Sequence, residues 1–214
     1  MADIRTLDQL QDALDSEMGW RVKEVSAFNV ASRSGSPERK FFIRAGVTLT
    51  YAHWEGFIKT ASELYLNFVH HRGLTYGELK TCFAIFGLKA HLEMLSNSRK
   101  TAANIKAFEF VFSEMGKPAR MQMSSAIDTE SNLTSKVFTN IATSLDIDVD
   151  KYSTKFNLID ESLVNRRNKV AHGEFMDLGG KEFGLLVADV LQMMRDYKTD
   201  LLNAASLENY KRPA

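Results

Sequence analysis

Apolar side chains recur every three or four positions along most of this chain of 214 residues, which is the spacing of an amphipathic helix. The first such stretch runs from Asp3 to about Val30 and is followed by a short polar break. The second begins at Ser36 and Pro37 and continues to about His70. Ser is a favoured helix N-cap and Pro a favoured first helical residue, so the pattern predicts that the longest helix begins at this pair.

The remainder of the chain predicts shorter helices and one further long one. Their expected ranges are 76–98, 101–115, a helix capped by Asp128 or Ser131 that ends near Leu145, 159–175, and 183–207. No stretch shows the alternation of apolar and polar residues that is typical of a strand. The sequence therefore predicts an all-α fold, organised as a single domain over residues 1–214 in which about 76–155 forms a helical elaboration.

Composition narrows the possible functions. The 27 basic and 27 acidic residues give a net charge of zero, whereas proteins that coat nucleic acid usually carry a basic excess. Any contact with nucleic acid is therefore expected at a local site. The sequence has no run of about 18 apolar residues, so we expect no membrane span. The single cysteine, Cys82, excludes an intrachain disulfide, and the lack of a signal-peptide pattern agrees with a cytoplasmic location.

The segment from Arg167 to His172 carries the strongest chemical signal in the sequence. An arginine can hold a phosphate through its planar guanidinium group, and a histidine can move protons near neutral pH. Asn168 and His172 are four residues apart and would share one face of a helix. We therefore identify Arg167 and His172 as candidate catalytic residues for cleaving a phosphodiester without a metal, with Asn168 and Arg166 as supporting residues.

His172, Arg166 and Arg167 also have a purely structural interpretation, which the spacing alone favours. His172 would lie at a helix C-terminus, where it is followed by a glycine and where an imidazolium interacts favourably with the helix dipole. Arg166 and Arg167 would form surface ion pairs with two upstream carboxylates, those of Asp160 and Glu161.

The surroundings of this segment favour the catalytic interpretation. The motif, followed by Gly-Glu and preceded by Leu-Val-Asn-Arg, resembles the signature of the HEPN superfamily. Two further blocks, 51–59 and 126–133, and the run from Ile159 into the motif resemble its branch of HEPN-like nucleases, found in bacterial genomes beside mobile-element and defence genes. The similarity extends from about Leu14 to Lys211, which is nearly the whole chain.

The resemblance implies a HEPN-type bundle of long antiparallel helices and a metal-independent endoribonuclease activity. HEPN ribonucleases act as homodimers in which the motifs of both protomers share a cleft. Arg167 would stabilise charge on the phosphoryl oxygens while His172 takes the proton of a ribose 2′-hydroxyl, which gives a 2′,3′-cyclic phosphate. The implied partners are RNA, a second copy and an antitoxin or defence-system protein, with no cofactor. HEPN domains also include non-catalytic members, so the alternative is a scaffold that binds a nucleotide or a protein in the same cleft.

Glu55 is a further expected site residue, because HEPN sites often include a polar residue from an earlier helix. The alternative for Glu55 is a surface carboxylate paired with Lys59 at i+4. His53 lies two residues from Glu55 and cannot point the same way on a helix. We expect Trp54 in the core rather than as a platform for base stacking.

Other chemistry is not supported by the sequence. The adjacent His70 and His71 diverge on a helix, and no carboxylate or cysteine cluster stands at ligand spacing, so no metal site is predicted. A glycine-rich phosphate loop is missing, which disfavours an ATPase or a dinucleotide enzyme. Cys82 lies in an apolar stretch and is expected to pack rather than to act as a nucleophile.

Overall fold

The computed structural model describes residues 3–33, 35, 37–97, 100–121 and 126–213. All regular elements in these residues are helical, which confirms the predicted all-α class. The α-helices are α1 (Leu7–Ser32), α2 (Arg39–His70), α3 (Thr81–Asn97), α4 (Thr101–Glu114), α5 (Ser135–Ser144), α6 (Arg166–Ala171) and α7 (Gly180–Ser206). A 3₁₀ helix over Asp150–Lys155 and a π-helix over Leu158–Asn165 precede α6. None of the helices in the described ranges combines the length and apolarity that a membrane span requires.

Helices α1, α2 and α7 pack on one another and form most of the core. Trp54 of α2 is fully buried, and its ring centre lies 5.5 Å from that of Phe138, so its predicted core position is confirmed. Ser62 and Tyr197 share a buried hydrogen bond of 2.7 Å that joins α2 to α7. This packing fixes α2, the helix that faces the candidate motif.

The two longest helices at the start of the chain begin later than the pattern predicts. Helix α1 begins at Leu7. Helix α2 begins at Arg39 rather than at Pro37, and its N-cap residue is Glu38, whereas the predicted cap Ser36 lies outside the described residues. The first hydrogen bonds of α2 are donated to the carbonyl of Glu38, which leaves Pro37 in the preceding turn.

Helix α3 begins at Thr81, five residues after its expected start. The N–H groups of Tyr76 and Gly77 donate to the carbonyls of Lys117 and Met115, and isolated bridges join Thr75 to Pro118 and Leu79 to Lys211. These contacts hold the residues before α3 in a turn bridged to two distant segments, so the helix starts only after it. The assignment of 76–155 as an elaboration of a single domain stays a prediction.

The predicted N-caps of the helix that ends near Leu145, Asp128 and Ser131, are wrong. Helix α5 is capped by Thr134, whose hydroxyl accepts the N–H of Val137 at 3.3 Å. Upstream, the Asp128 carboxylate accepts the N–H of Glu130, and Glu130 and Ser131 have positive φ angles of 50° and 63°. Two successive left-handed residues cannot begin an α-helix, so this segment forms a turn, which we call the 128–132 turn.

The motif does not lie in one continuous helix over 159–175. The π-helix leads into α6, which ends at Ala171. Gly173 adopts a φ of 73° and donates its N–H to the carbonyl of Val170, while Glu174 donates to Lys169. This left-handed glycine closes the helix, and the residues between it and α7 form a loop.

Candidate active site

Helix α6 places the motif between the core and the surface. The π-helix runs directly into Arg166, and such segments occur often at functional sites. Leu163 and Val164 are buried and anchor this stretch, and α6 packs against α2. His172 is the C-cap residue of α6, where its N–H donates to the carbonyl of Asn168 at 2.9 Å. Its predicted position at a helix C-terminus is confirmed, and its side chain is exposed.

The guanidinium group of Arg167 is held by three groups that belong to other segments. Its Nη2 donates to the side-chain oxygen of Asn132 at 2.6 Å and to the carbonyl of Ser131 at 3.2 Å. Its Cζ lies 4.2 Å from the centre of the Tyr51 ring, which forms a cation–π contact. The 128–132 turn and α2 therefore fix this cation from two directions.

The partners of Arg167 in the described ranges are neutral. The carboxylate of Asp160 accepts the N–H and hydroxyl of Ser135 at 2.7 and 2.6 Å, and that of Glu161 accepts from the amide of Asn165 at 2.9 Å. The ion pairs of the structural alternative are therefore not formed. The Nε of Arg167 is also buried without a hydrogen-bond partner in the described part of the chain. The charge of this arginine is thus left for an anion to neutralise.

Tyr51 supports both Arg167 and the turn that binds it. The Tyr51 hydroxyl accepts the N–H of Leu133 at 2.8 Å. Burial is the main cause that raises the pKa of Tyr51, the negative charge of Glu55 raises it further, and the hydrogen bond from Leu133 opposes the shift. Glu55 is half-buried and forms no ion pair with Lys59 in the described ranges. Sequence reasoning missed Tyr51, although its four-residue spacing from Glu55 on one helix face was an available signal.

His53 points away from this site, as its spacing from Glu55 predicts. Its ring contacts that of Trp20 at 5.0 Å, and its Nε2 lies 2.8 Å from the carboxylate of Glu24 on α1. Burial is the main cause that lowers the pKa of His53, and the Glu24 carboxylate opposes this effect. On α2, Glu55 thus shares the helix face of Tyr51, which contacts Arg167, whereas His53 lies on another face.

Within one chain, the described residues show no hydrogen bond between the proposed catalytic groups. Arg167 turns towards α2 and the 128–132 turn, while His172 lies exposed at the end of α6. No side-chain hydrogen bond joins Arg167, Asn168 and His172 within the described ranges, and Arg166 and Asn168 are half-buried. The roles assigned to these four residues stay predictions.

Residues 16–203 match the family model described as RiboL-PSP-HEPN. This span covers most of the chain and contains α6 together with Tyr51, Glu55 and the 128–132 turn. The chain belongs to the RiboL-PSP-HEPN family. The predicted membership of the HEPN superfamily is thereby confirmed. No curated protein and no solved structure matches the sequence.

Membership of the RiboL-PSP-HEPN family indicates a nuclease-like or RNA-related function. This context agrees with the chemistry at Arg167, where an oriented cation is surrounded by neutral groups. An anionic ligand such as a phosphodiester suits that environment.

Proposed function

We propose that this RiboL-PSP-HEPN protein is a metal-independent endoribonuclease in which Arg167 and His172 act on the scissile phosphodiester. The observation that carries the proposal is the environment of Arg167. Neutral oxygens and the ring of Tyr51 orient its guanidinium group without cancelling the charge. An arginine held in this way is prepared for a phosphate, because no carboxylate in the described part of the chain cancels its charge.

The proposed reaction needs a proton acceptor and a proton donor. The imidazole of His172 takes the proton of a ribose 2′-hydroxyl, and the resulting oxygen nucleophile attacks the adjacent phosphorus. The bond from phosphorus to the 5′-oxygen breaks, and an imidazolium gives its proton to that leaving oxygen. Arg167 stabilises the negative charge on the non-bridging oxygens. The products are a 2′,3′-cyclic phosphate and a 5′-hydroxyl, so DNA is not a substrate.

A homodimer supplies what one chain lacks. His172 is exposed and forms no hydrogen bond with Arg167 in the described part of the chain. A second copy against the end of α6 places two motifs in one cleft, where one imidazole acts as base and the other as acid. Asn168 and Arg166 then orient His172 or bind phosphate across the cleft, and Glu55 acts on the site through Tyr51.

The proposed biological role is host defence or toxin–antitoxin function in the cytoplasm, with a protein partner that restrains the nuclease. Its support is the resemblance to nucleases encoded beside mobile-element and defence genes. An unrestrained ribonuclease would cleave host RNA, so expression of the wild type is expected to slow growth. His172→Ala is expected to relieve that effect.

The experiment that tests the activity is incubation of purified protein with RNA in EDTA. The wild type is expected to cleave, and His172→Ala is expected to be inactive with an unchanged circular dichroism spectrum, because this side chain is exposed. Lys169→Ala, a neighbouring exposed position on α6, serves as the control. Equal cleavage by wild type and His172→Ala would refute the proposal, and RNA binding without cleavage would favour the scaffold alternative.

A further inference from the structure

Two adjoining clefts lie beside the loop that follows His172. The first, of about 440 Å³, is formed by the start of α2 and by residues 173–179. The second, of about 610 Å³, lies between the end of α1 and the start of α7. Arg39 lines both clefts, so they meet at this residue. We call the pair the α2/α7 track.

The α2/α7 track concentrates positive charge in a protein whose net charge is zero. The charged residues that line it are the cations Arg33, Arg39, Lys40, Arg44 and Lys181 and the carboxylates Glu174 and Asp177. Arg39 and Lys40 are the first two residues of α2, where the positive end of the helix dipole disfavours a cation. The side chains of these two residues form no ion pair in the described part of the chain. Their placement is unfavourable for the helix alone and becomes favourable when an anion binds.

Two aromatic side chains lie unprotected beside these cations. Phe175 is 82% exposed and Phe41 is 71% exposed, and both line the first cleft. Nη1 of Arg44 donates to the carbonyl of Glu174 at 2.8 Å, which ties the loop that carries Phe175 to α2. Cations interleaved with exposed aromatic faces are the arrangement by which proteins bind single-stranded nucleic acid. A duplex keeps its bases stacked and cannot present them to these rings.

We propose that the α2/α7 track binds the single-stranded RNA on one side of the scissile bond. Phosphates lie on Arg33, Arg39 and Lys181, and a base stacks on Phe175. This proposal rests on the proposed ribonuclease function, which supplies RNA as the ligand. Gly173 lines the first cleft and directly follows His172, so a strand in the track continues to the motif.

The test measures binding separately from cleavage. The probe is a fluorescent 2′-O-methyl RNA of about 12 nucleotides, within the usual site size for single strands, and it has no 2′-hydroxyl to attack. Phe175→Ala is expected to weaken its binding by about 5- to 150-fold, since stacking on one aromatic ring contributes about 1–3 kcal/mol per base. The double variant Arg39→Ala/Lys181→Ala is expected to lower the slope of log K against log salt by about 1.4, since each single-strand phosphate contact contributes about 0.7.

Matched controls lie on the α3 and α4 helices. Phe112→Ala removes another aromatic side chain that is 67% exposed, and Lys89→Ala/Lys106→Ala removes two exposed cations; neither is expected to change binding. Equal effects of the track and control variants, or no binding by the wild type, would overturn the proposal. A change in oligomeric state with unaltered RNA affinity in Phe175→Ala would also overturn it and assign the surface to a protein partner.

The RNA-binding proposal and the nuclease proposal can fail separately, because binding and cleavage are measured separately. A protein that binds the probe through Phe175 but cleaves no RNA retains the track and loses the proposed chemistry. A protein that cleaves RNA with no dependence on Phe175 or Arg39 retains the chemistry and loses the track.

Discussion

The guanidinium carbon of Arg167 lies 4.2 Å from the centre of the Tyr51 ring, while the hydroxyl of the same tyrosine accepts the N–H of Leu133. One side chain of α2 therefore supports the cation and the backbone next to the turn that binds it. Because α2 is fixed in the core, the position of Arg167 does not depend on the short helix α6 alone.

The two contacts of Tyr51 can be separated by substitution. Tyr51→Phe keeps the ring under Arg167 but leaves the N–H of Leu133 unpaired, and is expected to lower the free energy of unfolding by about 1–3 kcal/mol with little change in kcat. Tyr51→Leu removes the cation–π contact as well, and is expected to lower kcat/KM a further 2- to 30-fold or about 0.5–2 kcal/mol. Urea denaturation and RNA cleavage measure the two effects. Equal kcat/KM for the Phe and Leu variants would contradict a positioning role for the ring.

Arg167 has no carboxylate partner in the described ranges. We therefore expect RNA binding to weaken when a carboxylate is introduced at Asn132. Asn132→Asp preserves the shape of the side chain but places a negative charge 2.6 Å from Nη2. The new ion pair is expected to leave stability unchanged or raised, and to weaken RNA binding because it neutralises the cation. With a non-cleavable RNA, the salt slope is expected to fall by about 0.7, the loss of one phosphate contact. An unchanged slope and affinity would show that Arg167 does not bind phosphate.

The proposed cleft, which is shared by the motifs of two protomers, predicts a dimer at micromolar concentration. Sedimentation velocity of the wild type is expected to give the mass of two chains, each of 24.2 kDa. His172→Ala is expected to remain dimeric, so that its loss of activity reports chemistry rather than assembly. A strictly monomeric wild type that still cleaves RNA would contradict a site shared between protomers.

The buried His53 predicts an acid-dependent loss of stability. Burial lowers its pKa in the folded protein from the ordinary value of 6.5, so folding favours the neutral imidazole. In the unfolded chain the ring takes up a proton near that ordinary value. Its contribution to stability is therefore present above about pH 6.5 and is lost as the pH falls below it, towards the lowered folded pKa.

His53→Phe removes this titration while keeping a ring beside Trp20. Urea denaturation at about pH 7 and about pH 5 is expected to show a smaller acid-induced fall in the free energy of unfolding for the variant than for the wild type. A larger fall in His53→Phe would contradict this prediction. It would mean that protonated His53 pairs with Glu24 and stabilises the fold at acid pH.

The hydrophobic pattern was sufficient to predict the long helices because it is a local property of each of them. Trp54 and Ser62 of α2 face other core helices as its three- and four-residue spacing requires. The boundaries were less predictable, since they depend on contacts between distant segments. The start of α3 is delayed by hydrogen bonds from residues 76 and 77 to residues 115–117.

In the candidate site, too, contacts between distant segments could not be predicted from the sequence. Residue types suggest Arg167 and His172 as candidates, and the family resemblance favours a catalytic over a structural role for them and adds Glu55; these roles stay predictions. Tyr51 and Leu133, in contrast, are 82 residues apart in sequence, and the groups that hold Arg167 depend on the left-handed backbone of Glu130 and Ser131. Sequence patterns do not report such a turn when neither residue is a glycine or an asparagine.

The most direct measurement of the central claim is cleavage, in EDTA, of an RNA that carries one 2′-deoxynucleotide at the mapped cleavage position. The unmodified RNA is expected to yield a 2′,3′-cyclic phosphate and a 5′-hydroxyl, and the single deoxy substitution is expected to abolish cleavage at that bond. Cleavage of the deoxy-substituted bond, or products with a 5′-phosphate, would contradict the proposed attack by the 2′-oxygen and the roles of Arg167 and His172 with it.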